Sequence, residues 1–333
     1  MQILPSLSDV KKIAATGKYN VLPVSAEILS DFTTPIETMN ILKNVSTHCY
    51  MLESAQANET WGRYTFLGFD PKLEITCIDG TLQAGNFRLQ TANPSDYLRQ
   101  LLADYKSPRF DYLPSFTGGL VGYFAYDYFG YSEPAAKCKV EDTENFKDAD
   151  LMLFDKVIAF DHIRQKLIFI VNMPLDDVEV SYNKAVMELN QLVDLIRHGT
   201  KKSEPGGRLL GEVTKLFSQE QFCDMVEQAK RYIHEGDIFQ IVLSNHLSAP
   251  FEGSLLNTYR VLRTINPSPY MFYFAGTDVE IAGASPETLV KLENGVLHTF
   301  PLAGTITRGK TDEKDKELAS ELLVGEKELA EHN

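Results

Sequence analysis

The chain has 333 residues, 44% of them hydrophobic and 23% charged, which is an ordinary composition for a globular protein of one or two domains. A formal net charge of −14 at pH 7 argues against nucleic acids and anionic membranes as partners, because their phosphates would repel the protein. The sequence has neither an apolar stretch long enough to span a membrane nor a secretory signal pattern. The four widely spaced cysteines form no CxxC pair, so we expect unpaired thiols and a cytoplasmic protein.

The first part of the chain is predicted to consist mainly of short strands with a few helices. Alternating apolar residues predict strands over residues 48–52, 72–78, 156–160 and 166–171, and helical periodicity predicts helices over residues 95–105 and 180–197. Residues 199–207 are polar and rich in Gly and Lys, a composition typical of linkers. We therefore expect a first domain over 1–198, a linker over 199–212 and a second domain over 213–333.

The second part is predicted to open with an amphipathic helix. Ser218 and Gln221 have the spacing of a capping box, and Gly236 is a suitable end for the helix. The apolar stripe of this helix consists of Phe222, Val226, Ala229 and Ile233. The pattern predicts a helix that packs along one face.

The remaining elements alternate between strands and a second helix. Strands are predicted over residues 238–243, 271–275 and 279–283, a helix over 255–264, and a hairpin of strands 289–293 and 296–300. Asn294-Gly295, between the hairpin strands, is typical of a type I′ turn. The predicted fold class is α/β or α+β, with large antiparallel sheets flanked by helices.

The glycines of Gly118-Gly119-Leu120-Val121-Gly122 do not form a nucleotide-binding loop. The spacing is not GxGxxG, and no βαβ unit surrounds the stretch. Glycines inside a strand more often mark a bulge or a close backbone contact, and we expect that role here.

The end of the chain combines a small-residue loop with an acidic helix. Residues 301–305 form the loop, and Glu328 and Glu331 lie on one face of the helix because they are three residues apart. Two such carboxylates beside a loop could hold a divalent metal and an anionic substrate. On spacing alone, such a charged helix is more often a solvated face.

Seven stretches, taken in order, resemble component I of anthranilate synthase, within the chorismate-utilising enzymes. They are Leu52-Glu53-Ser54-Ala55, Gly62-Arg63-Tyr64-Thr65-Phe66, Gly118-Gly119-Leu120-Val121-Gly122-Tyr123, Glu235-Gly236-Asp237-Ile238-Phe239-Gln240-Ile241-Val242-Leu243-Ser244, Asn266-Pro267-Ser268-Pro269-Tyr270-Met271-Phe272, Pro301-Leu302-Ala303-Gly304-Thr305 and Lys327-Glu328-Leu329-Ala330-Glu331-His332. The matches run from near the N-terminus to the end of the chain. The resemblance implies the two-domain chorismate-utilising enzyme fold.

The resemblance also implies a reaction, a cofactor and a partner. The family condenses chorismate with ammonia, using Mg²⁺, and eliminates pyruvate to leave anthranilate in tryptophan biosynthesis. Ammonia comes from a glutamine amidotransferase subunit, so we expect a hetero-oligomer. By resemblance, Gly304 and Thr305 bind chorismate, Glu331 is a magnesium ligand, and Glu328 assists proton transfer at the ring. These roles suit a hard cation held by carboxylates and a dicarboxylate substrate.

Two positions favour the anthranilate branch of the family. Ala303 lies where aminodeoxychorismate synthases typically have a nucleophilic lysine, and alanine cannot form that adduct. Gln240 lies where isochorismate and salicylate synthases have a lysine that activates water, and glutamine has no basic amine. We assign Gln240 to the catalytic site. The alternative within the family is aminodeoxychorismate synthase component I.

The resemblance further implies feedback inhibition by tryptophan. The inhibitor-binding residues would be Glu53 and Ser54 from the first domain and Pro269, Tyr270 and Met271 from the second. A carboxylate could pair with the ligand's ammonium while aromatic side chains pack against the indole. A pocket between domains could couple the inhibitor to a distant active site.

The family continues beyond the acidic helix that ends at Asn333. We therefore expect this chain to lack further substrate contacts and a second metal carboxylate, and to have little activity alone. The alternative of a different class is a non-catalytic fragment that binds tryptophan or docks to the amidotransferase.

Overall fold

The computed structural model describes residues 1–54, 62–136, 144–301 and 304–332, with residues 331 and 332 described for the backbone alone. Its helices are α1 (Leu7–Ala14), α2 (Pro35–Val45), α3 (Pro94–Ala103), α4 (Val178–His198), α5 (Gln219–Glu235), α6 (Leu255–Ile265), α7 (Asp312–Leu323) and α8 (Glu326–His332). Two short 3₁₀ helices span Tyr126–Tyr131 and Pro134–Ala136.

The strands occur throughout the chain. They are β1 (Ile3–Leu4), β2 (Val21–Leu29), β3 (Cys49–Glu53), β4 (Tyr64–Phe69), β5 (Leu73–Ile78), β6 (Thr81–Ala84), β7 (Phe87–Gln90), β8 (Gly119–Phe124), β9 (Ala149–Phe154), β10 (Lys156–Asp161), β11 (Lys166–Pro174), β12 (Arg208–Leu209), β13 (Thr214–Lys215), β14 (Leu247–Ser248), β15 (Phe251–Glu252), β16 (Tyr270–Ala275), β17 (Glu280–Ser285), β18 (Lys291–Glu293) and β19 (Val296–His298).

Eight antiparallel strands form the large sheet, in the order β1-β2-β11-β10-β4-β3-β16-β17. Helices α2, α4 and α6 pack on this sheet, and the main core lies between them. The strands alternate between core-facing and outward-facing residues, so each contributes every second side chain to that core. The sheet positions β3 beside β16.

Five antiparallel strands form the small sheet, in the order β7-β6-β5-β9-β8. A second apolar cluster joins the two sheets: Tyr50 and Phe274 come from the large sheet, and Val121, Met152 and Phe154 from the small one. The two sheets therefore share buried side chains as well as the chain connections. The predicted combination of antiparallel sheets and flanking helices is confirmed.

Most of the predicted elements are present. Helix α5 has the predicted capping box, because the Ser218 hydroxyl accepts from Gln221 N and the Gln221 side chain accepts from Ser218 N. The turn at Asn294-Gly295 has the positive φ angles, 51° and 79°, that a type I′ hairpin requires. Cys49, Cys77 and Cys223 are unpaired, as predicted, and Cys138 lies outside the described residues.

The strand predicted over residues 238–243 is wrong, since the structure has no strand there. The apolar pattern is real, but a strand needs a hydrogen-bonded neighbour, and no described strand pairs with this segment. Phe239 and Val242 are 82% and 86% exposed as a result. Along the predicted stripe of α5, Ala229 is the one residue that is buried.

Glycines of the 118–122 stretch serve backbone packing, as expected. A Cβ on Gly122 would lie 1.9 Å from the Asp150 carbonyl oxygen of the neighbouring strand β9. A Cβ on Gly118, whose φ is 142°, would lie 2.5 Å from Asn172 Nδ2.

The large sheet takes strands from both sides of the 199–212 segment. Strand β16 of the second part pairs with β3 of the first, with Met271 opposite Glu53 and Phe272 opposite Leu52. The domain boundaries at 198 and 213 therefore stay a prediction from sequence, and the sheet does not divide there.

Among the described residues, every helix is too short or too polar to cross a bilayer.

Candidate functional site

The loop before α7 is held in place by the first turn of that helix. Arg308 forms an ion pair with Asp315, and the Asp315 carboxylate accepts from Gly309 N at 2.8 Å. Thr311 caps α7 by accepting from Lys314 N at 3.3 Å, which satisfies one of the free N–H groups of the helix start. These contacts tie residues 308–311 to the first turn of α7.

Glu328 of α8 reaches the predicted substrate loop. A Cβ placed on Gly304 would lie 2.2 Å from Glu328 Oε1, and one placed on Gly325 would lie 2.2 Å from Glu328 Oε2. The carboxylate thus sits between two glycines, in space that a Cβ at either position would occupy. Sequence analysis predicted that an acidic residue of the last helix faces the glycine of this loop, and the structure brings the two together.

The other predicted catalytic residues are more dispersed. Thr305 is exposed in the loop, and Gln240 is exposed in the segment without a strand. Glu331 lies in α8, but its side chain is outside the description, as is Ala303. Within the described residues, no cluster of three or more His, Cys, Asp or Glu side chains could hold a metal ion. Glu328 is thus the one predicted acidic ligand or acid–base group whose side chain is described.

A second feature is an apolar cavity of about 330 Å³ between the two sheets, here called the aromatic cavity. Its lining includes three of the predicted inhibitor-binding residues, Glu53, Tyr270 and Met271. The rest of the lining is Tyr50, Leu52, Val121, Gly122, Tyr123, Phe272, Phe274 and Ile281. Burial, the largest effect, raises the pKa of Tyr123 to about 12, so this phenol is neutral at pH 7.

The side chain of Glu53 does not point into this cavity. Residues opposite each other in an antiparallel pair share a face, and Glu53 lies opposite Met271, which belongs to the main core. Leu52 and Phe272 lie on the other face, toward the cavity. Glu53 is the last residue of β3.

On the α6 face, the Glu53 carboxylate is firmly bonded. Oε1 accepts from Tyr259 Oη at 2.6 Å and lies 2.5 Å from Arg263 Nε, and Oε2 accepts from Arg263 Nη2 at 2.9 Å. Burial raises the pKa of Tyr259, with Glu53 adding to the effect, so the phenol remains a donor. Sequence reasoning missed both partners of Glu53.

Ser54 and Pro269, the remaining predicted inhibitor-binding residues, flank the cavity without lining it. Both are half-buried, next in the chain to Glu53 and Tyr270. The Tyr270 hydroxyl lies 2.5 Å from Thr288 Oγ1, a contact that orients this ring of the cavity lining.

Tyr50, in the cavity wall, has a fully buried hydroxyl that finds no hydrogen-bond partner among the described residues. Burial raises the pKa of this phenol, and an unpaired buried hydroxyl costs about 1–3 kcal/mol. Tyr50→Phe is therefore expected to increase the free energy of unfolding by about 1 kcal/mol in urea titrations. Tyr273→Phe, which loses bonds to Lys43 and Glu280, is the opposite control and should destabilise the protein. A less stable Tyr50→Phe variant would contradict the assignment.

A buried lysine near the end of α2, Lys43, contacts residues of the second part of the chain. The sequence analysis did not predict these contacts. Lys43 Nζ donates to Ser254 Oγ at 2.8 Å, to Tyr273 Oη at 2.6 Å and to Glu280 Oε1 at 2.6 Å, and lies 3.0 Å from Glu204 Oε2. We call these five residues the Lys43 network. Burial works to raise the pKa of Glu280, but hydrogen bonds from Lys43 and Tyr273 outweigh it and hold that pKa below its usual value.

Residues 47–333 match the family of chorismate binding enzymes. Over 98% of its length the chain is 36% identical to anthranilate synthase component 1 of Acetivibrio thermocellus, and over 100% it is 37% identical to the protein of that name from Aquifex aeolicus. It spans 68% of the length of each relative. The crystal structure of anthranilate synthase component I from Streptococcus pneumoniae TIGR4 superposes with a TM-score of 0.67 at 31% identity, over 83% of this chain and 60% of that one.

These matches confirm both the resemblance noted in the sequence and the fold class expected from it. They extend over nearly the whole chain, and the solved structure is related in sequence as well as in fold. The chain therefore belongs to the chorismate-binding enzyme family.

Proposed function

We propose that this chain is the chorismate-converting component of an anthranilate synthase, in which chorismate and ammonia give anthranilate and pyruvate. The observation that carries the proposal is the contact between Glu328 and Gly304, within a chain that matches the family over residues 47–333. A loop without side-chain bulk leaves room for a small ring, and an acidic side chain beside it can exchange a proton with that ring. The assigned reaction makes the chain a lyase of tryptophan biosynthesis.

The residues of the loop would bind the substrate, and those of the last helix would transfer the proton and hold the metal. Gly304 lets the substrate approach the backbone, and the Thr305 hydroxyl, exposed in the loop, would donate a hydrogen bond to a substrate carboxylate. Glu328 is partly buried beside Gly304, within reach of whatever the loop binds, and would move the proton at the ring. Gln240 would contribute a neutral amide rather than a base.

The residue types of the site fit Mg²⁺. This ion is typically held by one or two carboxylates together with substrate oxygens, and Glu331 follows Glu328 by three residues on α8. Glu331 would hold the ion, while Glu328 remains free for proton transfer. When bound, magnesium would neutralise the substrate carboxylate and anchor the ring.

The anthranilate branch is favoured over aminodeoxychorismate synthase by two sequence positions. Ala303 offers no nucleophile for a covalent adduct, and Gln240 offers no amine to activate water. An external amine is then the simplest nucleophile. We propose that it is ammonia, supplied by a glutamine amidotransferase subunit in a hetero-oligomer.

We also propose that tryptophan, the end product of the pathway, binds in the aromatic cavity and inhibits the enzyme from there. Its volume of about 330 Å³ and its aromatic lining suit an indole ring. Glu53 belongs to the lining of the cavity, and its carboxylate would have to turn from Tyr259 and Arg263 to receive the ligand's ammonium. Ser54 and Pro269 flank the entrance, where a larger side chain would obstruct a ligand.

The test is an anthranilate fluorescence assay with chorismate, an ammonium salt and Mg²⁺. We expect product formation that stops when EDTA removes the metal, and a loss of turnover of about 100-fold or more in Glu328→Gln, because a positioned proton donor is worth about 10²–10⁴-fold. The assay is run on this chain beside a full-length relative, because little activity is expected of this chain alone.

Each contrary result has a distinct meaning. Aminodeoxychorismate as the product would overturn the branch assignment. Tryptophan binding without any turnover, with and without the subunit, would favour the non-catalytic binding fragment. A Glu328→Gln variant as active as the wild type would remove Glu328 from the reaction.

A further inference from the structure

The loop that begins at Gly304 is anchored at both ends, and the far anchor lies outside the proposed chemistry. At the near end, a Cβ on Gly304 would lie 2.2 Å from Glu328 Oε1. At the far end, a Cβ on Gly309 would lie 2.4 Å from Asp315 N. The loop therefore packs against α8 at its start and against the backbone of α7 at its end. Residues 305–307, between the two anchors, are exposed, so the anchors determine where they lie.

The far anchor has two contacts, and both are made by the Asp315 carboxylate. Oδ1 accepts from Gly309 N at 2.8 Å, and Oδ2 pairs with Arg308. These two donors, Gly309 N first, hold the pKa of Asp315 below its usual value, so the carboxylate is charged at neutral pH. Arg308 is 89% exposed and Asp315 28% exposed at the side chain. Because water screens such an exposed ion pair, the bond to Gly309 N is the stronger contact of the anchor.

The position of Asp315 is determined by the start of α7. Thr311 caps the helix, and Asp315 N donates to Thr311 O at 2.9 Å, which places Asp315 in the first turn. A carboxylate is stabilised there by the helix dipole. Its side chain can reach back to Gly309 because the cap residue lies between them in the chain. The helix, rather than the loop itself, therefore fixes the end of the loop.

We propose that Asp315, through its bond to Gly309 N, is a positioning residue that holds the 304–309 loop in the conformation that binds chorismate. The inference rests on the proposed function and adds a residue outside the motifs that suggested it. Without this bond, residues 305–307 would occupy other conformations for part of the time. The apparent affinity for chorismate falls by that fraction, whereas Glu328 keeps its carboxylate for proton transfer.

The experiment separates the backbone bond from the ion pair. Asp315→Ala removes both contacts, Asp315→Asn keeps an oxygen for Gly309 N, and Arg308→Gln removes the ion pair alone. The control is Asp312→Ala, which deletes another exposed carboxylate from the same first turn. Chorismate binding in the presence of Mg²⁺ is measured by calorimetry on the full chain. Amide hydrogen exchange over residues 304–311, followed by mass spectrometry, reports the anchor independently of the ligand.

We expect Asp315→Ala to weaken chorismate binding about tenfold and to speed exchange of the loop amides. Asp315→Asn and Arg308→Gln should change the affinity by less than about threefold and keep the protection, and Asp312→Ala should match the wild type. The melting temperature of each variant should stay near that of the wild type, since alanine favours a helix. If Asp315→Ala does not fold, Asp315→Gln, which moves the oxygen by one methylene group, takes its place.

Three results would overturn the inference. The first is an Asp315→Ala variant with wild-type affinity, and the second is one whose loop amides exchange no faster. The third is Asp315→Asn as weak as Asp315→Ala, because the charge rather than the bond to Gly309 N would then hold the loop. A wild type that binds no chorismate refutes the proposed function itself. That failure is distinguishable, because the exchange rates of the variants still report the anchor.

Discussion

Replacing Lys43 with methionine is expected to lower the free energy of unfolding by about 3 kcal/mol, because removal of one partner from a buried ion pair leaves the other charge uncompensated. Lys43 is 6% exposed at its side chain, and methionine fills similar space without a charge. Glu280 would keep its bonds from Tyr273 Oη and Leu255 N but lose its cation. Urea unfolding followed by circular dichroism measures the change.

Lys202→Met is the matched control for that substitution. Lys202 pairs with Glu204, a member of the same Lys43 network, but is 40% exposed, and an exposed pair contributes about 0–1 kcal/mol. The difference between the two lysine variants isolates the effect of burial. An equal decrease in the free energy of unfolding in both variants would mean that the Lys43 network does not hold the two parts of the chain together.

Gly304→Ala is expected to reduce anthranilate formation about 100-fold, because a displacement of about 1 Å at a reacting group can have that effect. The new Cβ would lie 2.2 Å from Glu328 Oε1, and the flexible Glu328 side chain is the group that must move. Chorismate binding should weaken as well, since the methyl group occupies space beside the carboxylate. Turnover with the amidotransferase subunit present and the dissociation constant for chorismate are the two measurements.

Gly211→Ala is the control for Gly304→Ala. A Cβ on Gly211 would lie 3.5 Å from Pro250, an ordinary contact, so that variant should keep both activity and stability. The melting temperature of Gly304→Ala should also stay close to that of the wild type, because the displaced side chain is at the surface of the last helix. A fully active Gly304→Ala variant would separate Glu328 from the chemistry.

Local chemistry in the sequence predicted much of the fold. The capping box of α5 and the Asn294-Gly295 turn are determined by neighbouring residues, and both are present in the structure. The segment 238–243 shows the limit of such reasoning. Its apolar residues favour a strand, yet strand formation depends on a partner elsewhere in the chain, and no described strand provides one.

The part of the candidate site that is formed by neighbouring sequence motifs was predictable. Gly304 and Glu328 are both parts of family motifs, and their contact needs only the fold of the connecting helix α7. The partners of Glu53 and Lys43 were not predictable, because Arg263, Tyr259 and Glu280 have no spacing relative to them that indicates contact. Such pairs form when distant elements pack, which a periodicity within one element does not reveal.

The pairing of β3 with β16 has a consequence for synthesis of the protein on the ribosome. Lys43 and Tyr273 are 230 residues apart, so the early part of the chain emerges long before its partners exist. Until β16 arrives, β3 has an open edge, which exposes nascent chains to aggregation. Contacts of such long range also slow folding. A chaperone that covers the open edge of β3 during synthesis would therefore act on this topology.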